Sequence, residues 1–122
     1  MKSLTLTLLL ASASAFAGEK SVTLTTEQDF ATVSSTISKR MAQCYETSIV
    51  GVNYQVYDDI DVAAKTGTVI YRQSGIGARN VPIARIEFNG PTITITKTAA
   101  IVSLKKLQAN VESWLAGSKD CK

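Results

Sequence analysis

The sequence contains no histidine among its 122 residues. This absence excludes the Ser-His-Asp and Cys-His arrangements, in which a histidine activates the nucleophile. It also removes the commonest metal ligand, and two cysteines are too few to form a zinc site without it. We therefore expect no catalytic residues, no metal site and no cofactor, and we predict that the protein is not an enzyme.

Long apolar runs and a strong charge bias are also missing. No apolar stretch reaches the roughly 20 residues that a membrane-spanning helix needs. The 13 basic and 10 acidic residues leave a formal net charge of only +3, without the clustered basic face of a nucleic-acid-binding domain. We expect no transmembrane segment in the mature chain and no nucleic-acid partner. The oligomeric state stays open.

The first residues have the order of a secretory signal peptide. Met1-Lys2 is positively charged, Leu4–Leu10 is rich in leucine, and Ala15-Phe16-Ala17 matches the A-x-A cleavage pattern. We predict a signal peptide over residues 1–17, cleavage near Ala17-Gly18, and one mature domain over residues 18–122. The mature protein is then periplasmic or secreted.

Apolar residues with helical spacing occur on both sides of a β-rich region. The first set predicts a helix over about 27–44, and the second predicts a helix that follows Ala99 and stops near Gly117. The first set is Phe30, Val33, Ile37, Met41 and Cys44. The second is a line of Ile101, Leu104, Gln108, Val111 and Leu115, apolar except at Gln108 and widened by Leu107 and Trp114.

Between the helices the apolar residues alternate with a period of two, which is typical of strands with one buried face. Four strands are predicted, at about 50–57, 68–73, 81–88 and 92–98, with Asn89-Gly90 as a hairpin turn. Residues 19–25 also alternate and are interpreted as a short strand or an extended lead-in. The predicted fold class is α+β: a four-stranded antiparallel meander with the N- and C-terminal helices packed on one face.

Cys44 and Cys121 are the only cysteines. In an oxidising compartment two cysteines favour a disulfide. Cys44 ends the first helix, and Cys121 lies just beyond the second. In the chain-entropy model, a bridge that closes so long a loop would stabilise the folded protein by roughly 4 kcal/mol. The alternative, a redox pair, lacks the C-x-x-C spacing that tunes thiol acidity.

A glycine-containing segment at 74–80 is the strongest candidate for a recognition loop. Gly75 and Gly77 allow backbone donors to turn toward an anion, and Arg72 and Arg79 flank them, with Asn80 at the end. The candidate binding residues are therefore Arg72, Gly75, Gly77, Arg79 and Asn80. The alternative is an ordinary connection between two strands. The outer, threonine-rich face of the sheet is the other candidate surface.

Two further patterns suggest enzyme chemistry. Ser103-Leu104-Lys105-Lys106 matches S-x-x-K and Lys65-Thr66-Gly67 matches K-T-G, two elements of serine penicillin-recognising enzymes. Their order is reversed here and the S-D-N element is absent, so we interpret them as a surface lysine pair and a turn. Asp58, Asp59 and Asp61 could act with Arg72 or Arg79 in a hydrolase, or could bind Ca²⁺, if the fold brought them together.

The helix-terminal Cys44, the sheet and the closing Trp114-Leu115-Ala116-Gly117 followed by Cys121 resemble uncharacterised small bacterial envelope proteins, including some lipoproteins. The leader differs, because it lacks a lipid-attachment cysteine. The resemblance implies a location in the cell envelope but no activity and no site residues.

The sequence therefore predicts an exported, non-enzymatic domain that binds an envelope protein or a small ligand. It would bind through the outer sheet face or the 74–80 segment. The alternative is a small cell-envelope hydrolase or an enzyme inhibitor.

Export and oxidation can be measured on the native protein. We expect intact-mass spectrometry of material purified from its host to show a chain that begins at Gly18 and resists thiol alkylation until it is reduced. An intact leader, or two cysteines that alkylate without reductant, would contradict the predicted compartment.

Overall fold

A computed structural model of the protein describes residues 6–9, 19–75 and 78–121, and at residues 6–9 and 78–80 the description is of the backbone. These residues form one antiparallel sheet of seven strands, in the order β1-β2-β7-β6-β5-β4-β3, and two helices. The elements are β1 (Leu6–Leu9), β2 (Lys20–Thr26), α1 (Phe30–Tyr45), β3 (Thr47–Ile49), β4 (Val52–Asp61), β5 (Thr66–Gly75), β6 (Ala78–Asn89), β7 (Thr92–Lys97) and α2 (Leu104–Leu115).

The prediction of a four-stranded sheet is wrong, because six strands lie between residues 20 and 97 and β1 adds a seventh. Strands β3 to β7 form a meander, but β2 pairs with β7, in a register that places Val22 beside Ile95 and Leu24 beside Ile93. Residues 19–25 alternate visibly, yet their partner lies about 70 positions away. Helix α1 carries the chain from β2 across to the opposite edge, so local periodicity does not reveal this pairing.

Strand β3 is short, and the sequence does not predict it. Its three residues are all exposed and show no alternation of apolar and polar side chains. Val50 was predicted to lie in a strand but occupies the turn between β3 and β4, where Val50 and Gly51 have φ of 42° and 79°. Two positive φ values in a two-residue turn suit the right-handed twist of a hairpin.

Strand β1 pairs antiparallel with β2 and falls within the predicted signal peptide. The remaining residues of that segment, with the predicted cleavage site at Ala17-Gly18, lie outside the described residues.

Both helices pack on the same face of the sheet and bury one apolar core. The predicted stripe of α1 is confirmed at four positions, where Phe30, Val33, Ile37 and Met41 are buried. The sheet contributes alternate residues from its central strands, as expected for an antiparallel sheet with one covered face. These are Val22, Leu24, Val69, Tyr71, Ala84, Ile86, Phe88, Ile93 and Ile95. Ile83, next to Ala84 where the register between β5 and β6 shifts, is buried as well.

The predicted apolar line of α2 is wrong at its start. Ile101 precedes the helix and is 61% exposed, whereas Leu107 and Trp114 are buried. The Ser103 hydroxyl accepts a hydrogen bond from the Lys106 N–H and caps the helix, so α2 begins at Leu104. The same contact gives the S-x-x-K pattern a structural role, since its serine is an N-cap.

The predicted disulfide between Cys44 and Cys121 is confirmed, with Cα atoms 5.5 Å apart. The indole N–H of Trp114 donates to the Asp120 carbonyl at 2.9 Å, so the residues after α2 fold back along it. Gly117 follows the helix with φ of 102°, a conformation that favours glycine and ends helices. The bridge therefore joins the end of α1 to a C-terminal segment that is already held against α2.

Removal of this bridge should destabilise the fold. We expect the double variant Cys44→Ser with Cys121→Ser to lose about 2–4 kcal/mol of unfolding free energy in urea denaturation, because the unfolded chain regains the entropy of a 77-residue separation. Reductant should lower the stability of the wild-type protein by a similar amount and leave the double variant unchanged. Equal stability of the oxidised wild type and the variant would show that the bridge contributes nothing.

Three tyrosines pack near the end of α1. The rings of Tyr45 and Tyr71 lie 5.2 Å apart, those of Tyr54 and Tyr71 6.1 Å apart. Burial raises the pKa of the Tyr45 phenol above its usual 10.0, and a hydrogen bond from the Asn110 side chain opposes this. Burial also raises the pKa of Tyr71, and the neighbouring phenolates of Tyr54 and Tyr45 would raise it further. The fold thus favours the neutral phenols.

When the pKa of a group is higher in the folded than in the unfolded state, the group contributes its full stabilisation of the fold at pH values below the unfolded-state pKa. This contribution is lost as the pH rises through the folded-state pKa. We therefore expect the free energy of unfolding to fall above about pH 10. The fall should be shallower in Tyr71→Phe, measured by urea denaturation at a series of alkaline pH values. Tyr57→Phe, at an exposed ring, is the matched control, and an identical slope in both variants would contradict this role of the cluster.

Candidate functional site

One edge of the sheet is largely open. Strand β3 pairs only with Val52, Asn53 and Tyr54 of β4, although β4 continues to Asp61. In the part of the chain that the structure describes, no strand pairs with β4 on that side from Gln55 to Asp61. The opposite side of β4 is fully paired with β5 over its whole length.

The backbone of β4 identifies which groups face the open side. The Val56 N–H donates to the Glu46 carboxylate at 3.1 Å, in place of a neighbouring strand. Because the N–H and C=O of one strand residue point to the same side and successive residues alternate, Asp58 and Ile60 also direct their backbone groups outward. Asp58 and Ile60 therefore present two donors and two acceptors in the spacing of a β-ladder.

Helix α1 runs beside this edge, and the two elements enclose a groove of about 470 Å³. The helix lines the groove mainly with small residues whose spacing places them on one side of it. These are Ala31, Ser34, Ser35, Ser38 and Ala42, with Lys39 beside them. Strand β4 and the following turn contribute Asp58, Ile60 and Val62. The small side chains leave the space that larger ones would fill.

The length of the groove suits an extended chain. From Ala31 to Ala42 the helix rises about 16 Å, at 1.5 Å per residue. Five residues of a strand cover about the same distance, at 3.3 Å per residue. Val62, which also lines the groove, is 52% exposed and provides an apolar contact surface.

The edge is acidic. Asp58, Asp59 and Asp61 lie within four residues, and within the described residues none of them forms an ion pair. The Ser38 hydroxyl donates to the Asp58 carboxylate, and the Ala64 N–H donates to Asp61 at 3.1 Å. These are bonds to neutral donors, so they do not cancel the negative charge of the carboxylates.

The outer face of the sheet is polar and carries the threonines expected there. A shallow groove of about 660 Å³ lies across it, with Asp59, Asp61 and Glu87 among its lining residues. The other lining side chains include Thr66, Thr68, Asn89, Thr92 and Thr94, from β5, β6 and β7. Glu87 is held by Arg85, whose Nε donates to it at 2.9 Å. Strand pairing thus aligns on one face threonines that are scattered along the sequence.

The structure separates Arg72 from the acidic residues. Arg72 pairs with Gln55, whereas Asp59 pairs with Thr68. Along β5 these positions are four residues apart, which is about 13 Å. The Nε of Arg72 is buried without a hydrogen-bond partner among the described residues. Arg72 is therefore not brought together with the acidic group. The hydrolase hypothesis also names Arg79, whose side chain lies outside the described residues.

The predicted loop at 74–80 is mostly strand. Strand β5 continues to Gly75, and β6 starts at Ala78, where these two residues pair. Gly77 lies outside the described residues, as do the side chains of Arg79 and Asn80. A Cβ on Gly75 would come within 2.5 Å of the Gly51 carbonyl oxygen, so this glycine allows the two hairpin ends to approach closely. A binding role for the segment stays a prediction.

Two further structural properties bear on function. In the described part of the chain, neither helix combines the length and apolar character needed to span a membrane. Among the same residues, no three His, Cys, Asp or Glu side chains are grouped so that they could hold a metal ion.

The groove between β4 and α1 was not predicted. Two local signals were present: the alanines and serines at 31, 34, 35, 38 and 42, and the three aspartates at 58, 59 and 61. From the sequence alone, the aspartates are candidates for hydrolase chemistry or for Ca²⁺ binding. Because β3 pairs with only three residues of β4, the structure shows that the aspartates border an unpaired edge.

Comparisons of the chain with protein-family models, curated proteins and solved structures gave no significant match.

Proposed function

We propose that the protein is an exported, non-enzymatic polypeptide-binding module. A segment of a partner protein adds as a strand to the open edge of β4 and lies in the groove beside α1. The backbone of Asp58 and Ile60 supplies the hydrogen bonds, and the groove accepts alternate side chains. Strand addition to an exposed sheet edge is a common mode of peptide recognition.

The observation that carries this proposal is the unpaired edge of β4 beside a groove. A paired edge would offer no hydrogen-bonding groups, and an edge covered by a helix would offer no space. Here the side chain of Glu46 occupies one outward N–H, and the groups of Asp58 and Ile60 remain for a partner. Backbone bonds give affinity for any extended segment, and the side chains that line the groove select among segments.

The proposed location is the periplasm or the extracellular space. The disulfide supports it, because such bonds persist in oxidising compartments and are rare in the cytosol. A partner is then another envelope or secreted protein.

Selection from a display library of random 12-residue peptides tests this function, with the purified, oxidised protein as the target. We expect enriched peptides whose binding weakens about tenfold in Ile60→Pro, because proline removes an outward N–H and its ring obstructs the added strand. The N–H of Ile60 does not serve the pairing with β5, so the sheet itself is retained. Fluorescence anisotropy with labelled peptides measures the affinities.

Two further variants complete the experiment. Ser35→Phe fills the groove from an exposed helix position and should weaken the same peptides. Lys105→Phe places an equal ring on an exposed position of α2 and should leave binding unchanged. Peptides that bind Ile60→Pro and Ser35→Phe as well as the wild type, or a library without enrichment, would contradict strand addition at this edge.

A further inference from the structure

We infer that the partner segment is an amphipathic strand in which basic side chains alternate with apolar ones. This inference rests on the proposed strand addition and specifies the chemistry of the occupant. It follows from the different surroundings on the two sides of the β4 edge.

On the outer side of the sheet, the edge presents Tyr57, Asp59 and Asp61. Their alternation along β4 places them on one face, opposite the face that the helices cover. A strand that pairs with β4 would bring every second side chain to within about 5 Å of these residues. Lysine or arginine there would neutralise the carboxylates, and the half-exposed ring of Tyr57 also attracts a cation.

On the helix side of the sheet, the same strand would meet the groove. Ile60 and Val62 supply apolar surface on the strand side, while Ala31 and Ala42 supply it from α1. The carboxylate of Asp58 also lies on this side and accepts a hydrogen bond from the Ser38 hydroxyl. Valine-sized side chains fit beside these residues and would cover the exposed part of Val62. Alternate positions of the partner segment are therefore apolar.

The charge of the region favours a cationic partner at longer range as well. Asp58, Asp59, Asp61 and Glu46 border the edge, and Lys39 is the basic residue that lines the groove. Lys65, although it follows β4 closely, lines a different groove beside Glu27 and Asp29. The edge thus has an excess of negative charge that attracts basic segments in solution.

A second copy of the chain fits poorly at this edge. Two β4 strands paired with each other would bring their aspartates together, and like charges opposite one another destabilise a sheet. Charged edges are a known protection against association between identical sheets. The same carboxylates therefore reject a second copy and select a basic partner.

The probe for this inference is a labelled nine-residue peptide of alternating lysine and valine, with both ends capped. We expect it to bind the wild-type protein, and to bind about fivefold more weakly to the double variant Asp59→Asn with Asp61→Asn. Asparagine at 61 keeps the oxygen that accepts from Ala64, so the turn is preserved. Binding should also weaken as salt rises from about 0.05 M to about 0.5 M.

Three controls are matched to the probe. A peptide of alternating glutamate and valine should not bind, and a peptide with the lysines and valines in separate blocks should bind less tightly. Glu112→Gln removes a carboxylate from α2, which packs over β2 and β7, and should leave affinity unchanged. The inference is overturned if the lysine–valine peptide fails to bind, binds the aspartate variant equally well, or is matched by the block peptide.

The two proposals fail in distinguishable ways. If library peptides lose affinity for Ile60→Pro but show no alternation of basic and apolar residues, the site is correct and its specificity is wrong. If they bind Ile60→Pro normally, both proposals are wrong. A dimer in sedimentation analysis that Ile60→Pro converts to a monomer would identify a second copy as the occupant and overturn the basic partner.

Discussion

The packing of helix α1 against the sheet is the contact on which the rest of the structure depends. Its apolar stripe from Phe30 to Met41 covers the sheet, and its length carries the chain from β2 to the opposite edge. That crossing allows β2 to pair with β7, and α2 packs against these two strands. The polar flank of the same helix, with its small residues, then faces the edge of β4. One helix therefore closes the core and forms one wall of the groove.

The disulfide acts on the same helix. A domain of this size buries a limited core, and its net stability is a small difference between large opposing terms. Cys44 lies at the end of α1, next to the tyrosine cluster, and its bond to Cys121 holds the C-terminal segment at that point. The Gln28 side chain donates to the Leu115 carbonyl at 2.8 Å and links the other end of α1 to α2. The position of α1, and with it the width of the groove, is thus held at both ends.

An open edge such as that of β4 can bind an extended chain, but it must also avoid association with identical molecules. Unpaired backbone groups invite any extended chain, which exposes a protein to aggregation. A row of aspartates reduces that risk between identical molecules, because like charges would meet. The same row is attractive to a segment of opposite charge. Specificity at such an edge comes from what the carboxylates repel as much as from what they bind.

The sequence by itself determined the local elements. Helical spacing identified the buried stripe of α1, alternation identified four of the five strands of the meander, and the presence of only two cysteines identified the disulfide. The helix and strand predictions depend on residues that are close in sequence, and two cysteines can pair in only one way. The error at the start of α2 is also local, since the capping role of Ser103 decides where the helix begins.

Only the tertiary structure decided which edges are paired and what lies beside them. The place of β2 depends on Ile93 and Ile95, far along the chain, and the three-residue length of β3 leaves β4 open. The aspartates at 58, 59 and 61 do not reveal by their residue type whether they lie on a paired or an unpaired strand edge. Local periodicity records which side of a strand is buried, but it carries no information about the neighbour on its hydrogen-bonding edge, because backbone groups are the same in every residue except proline.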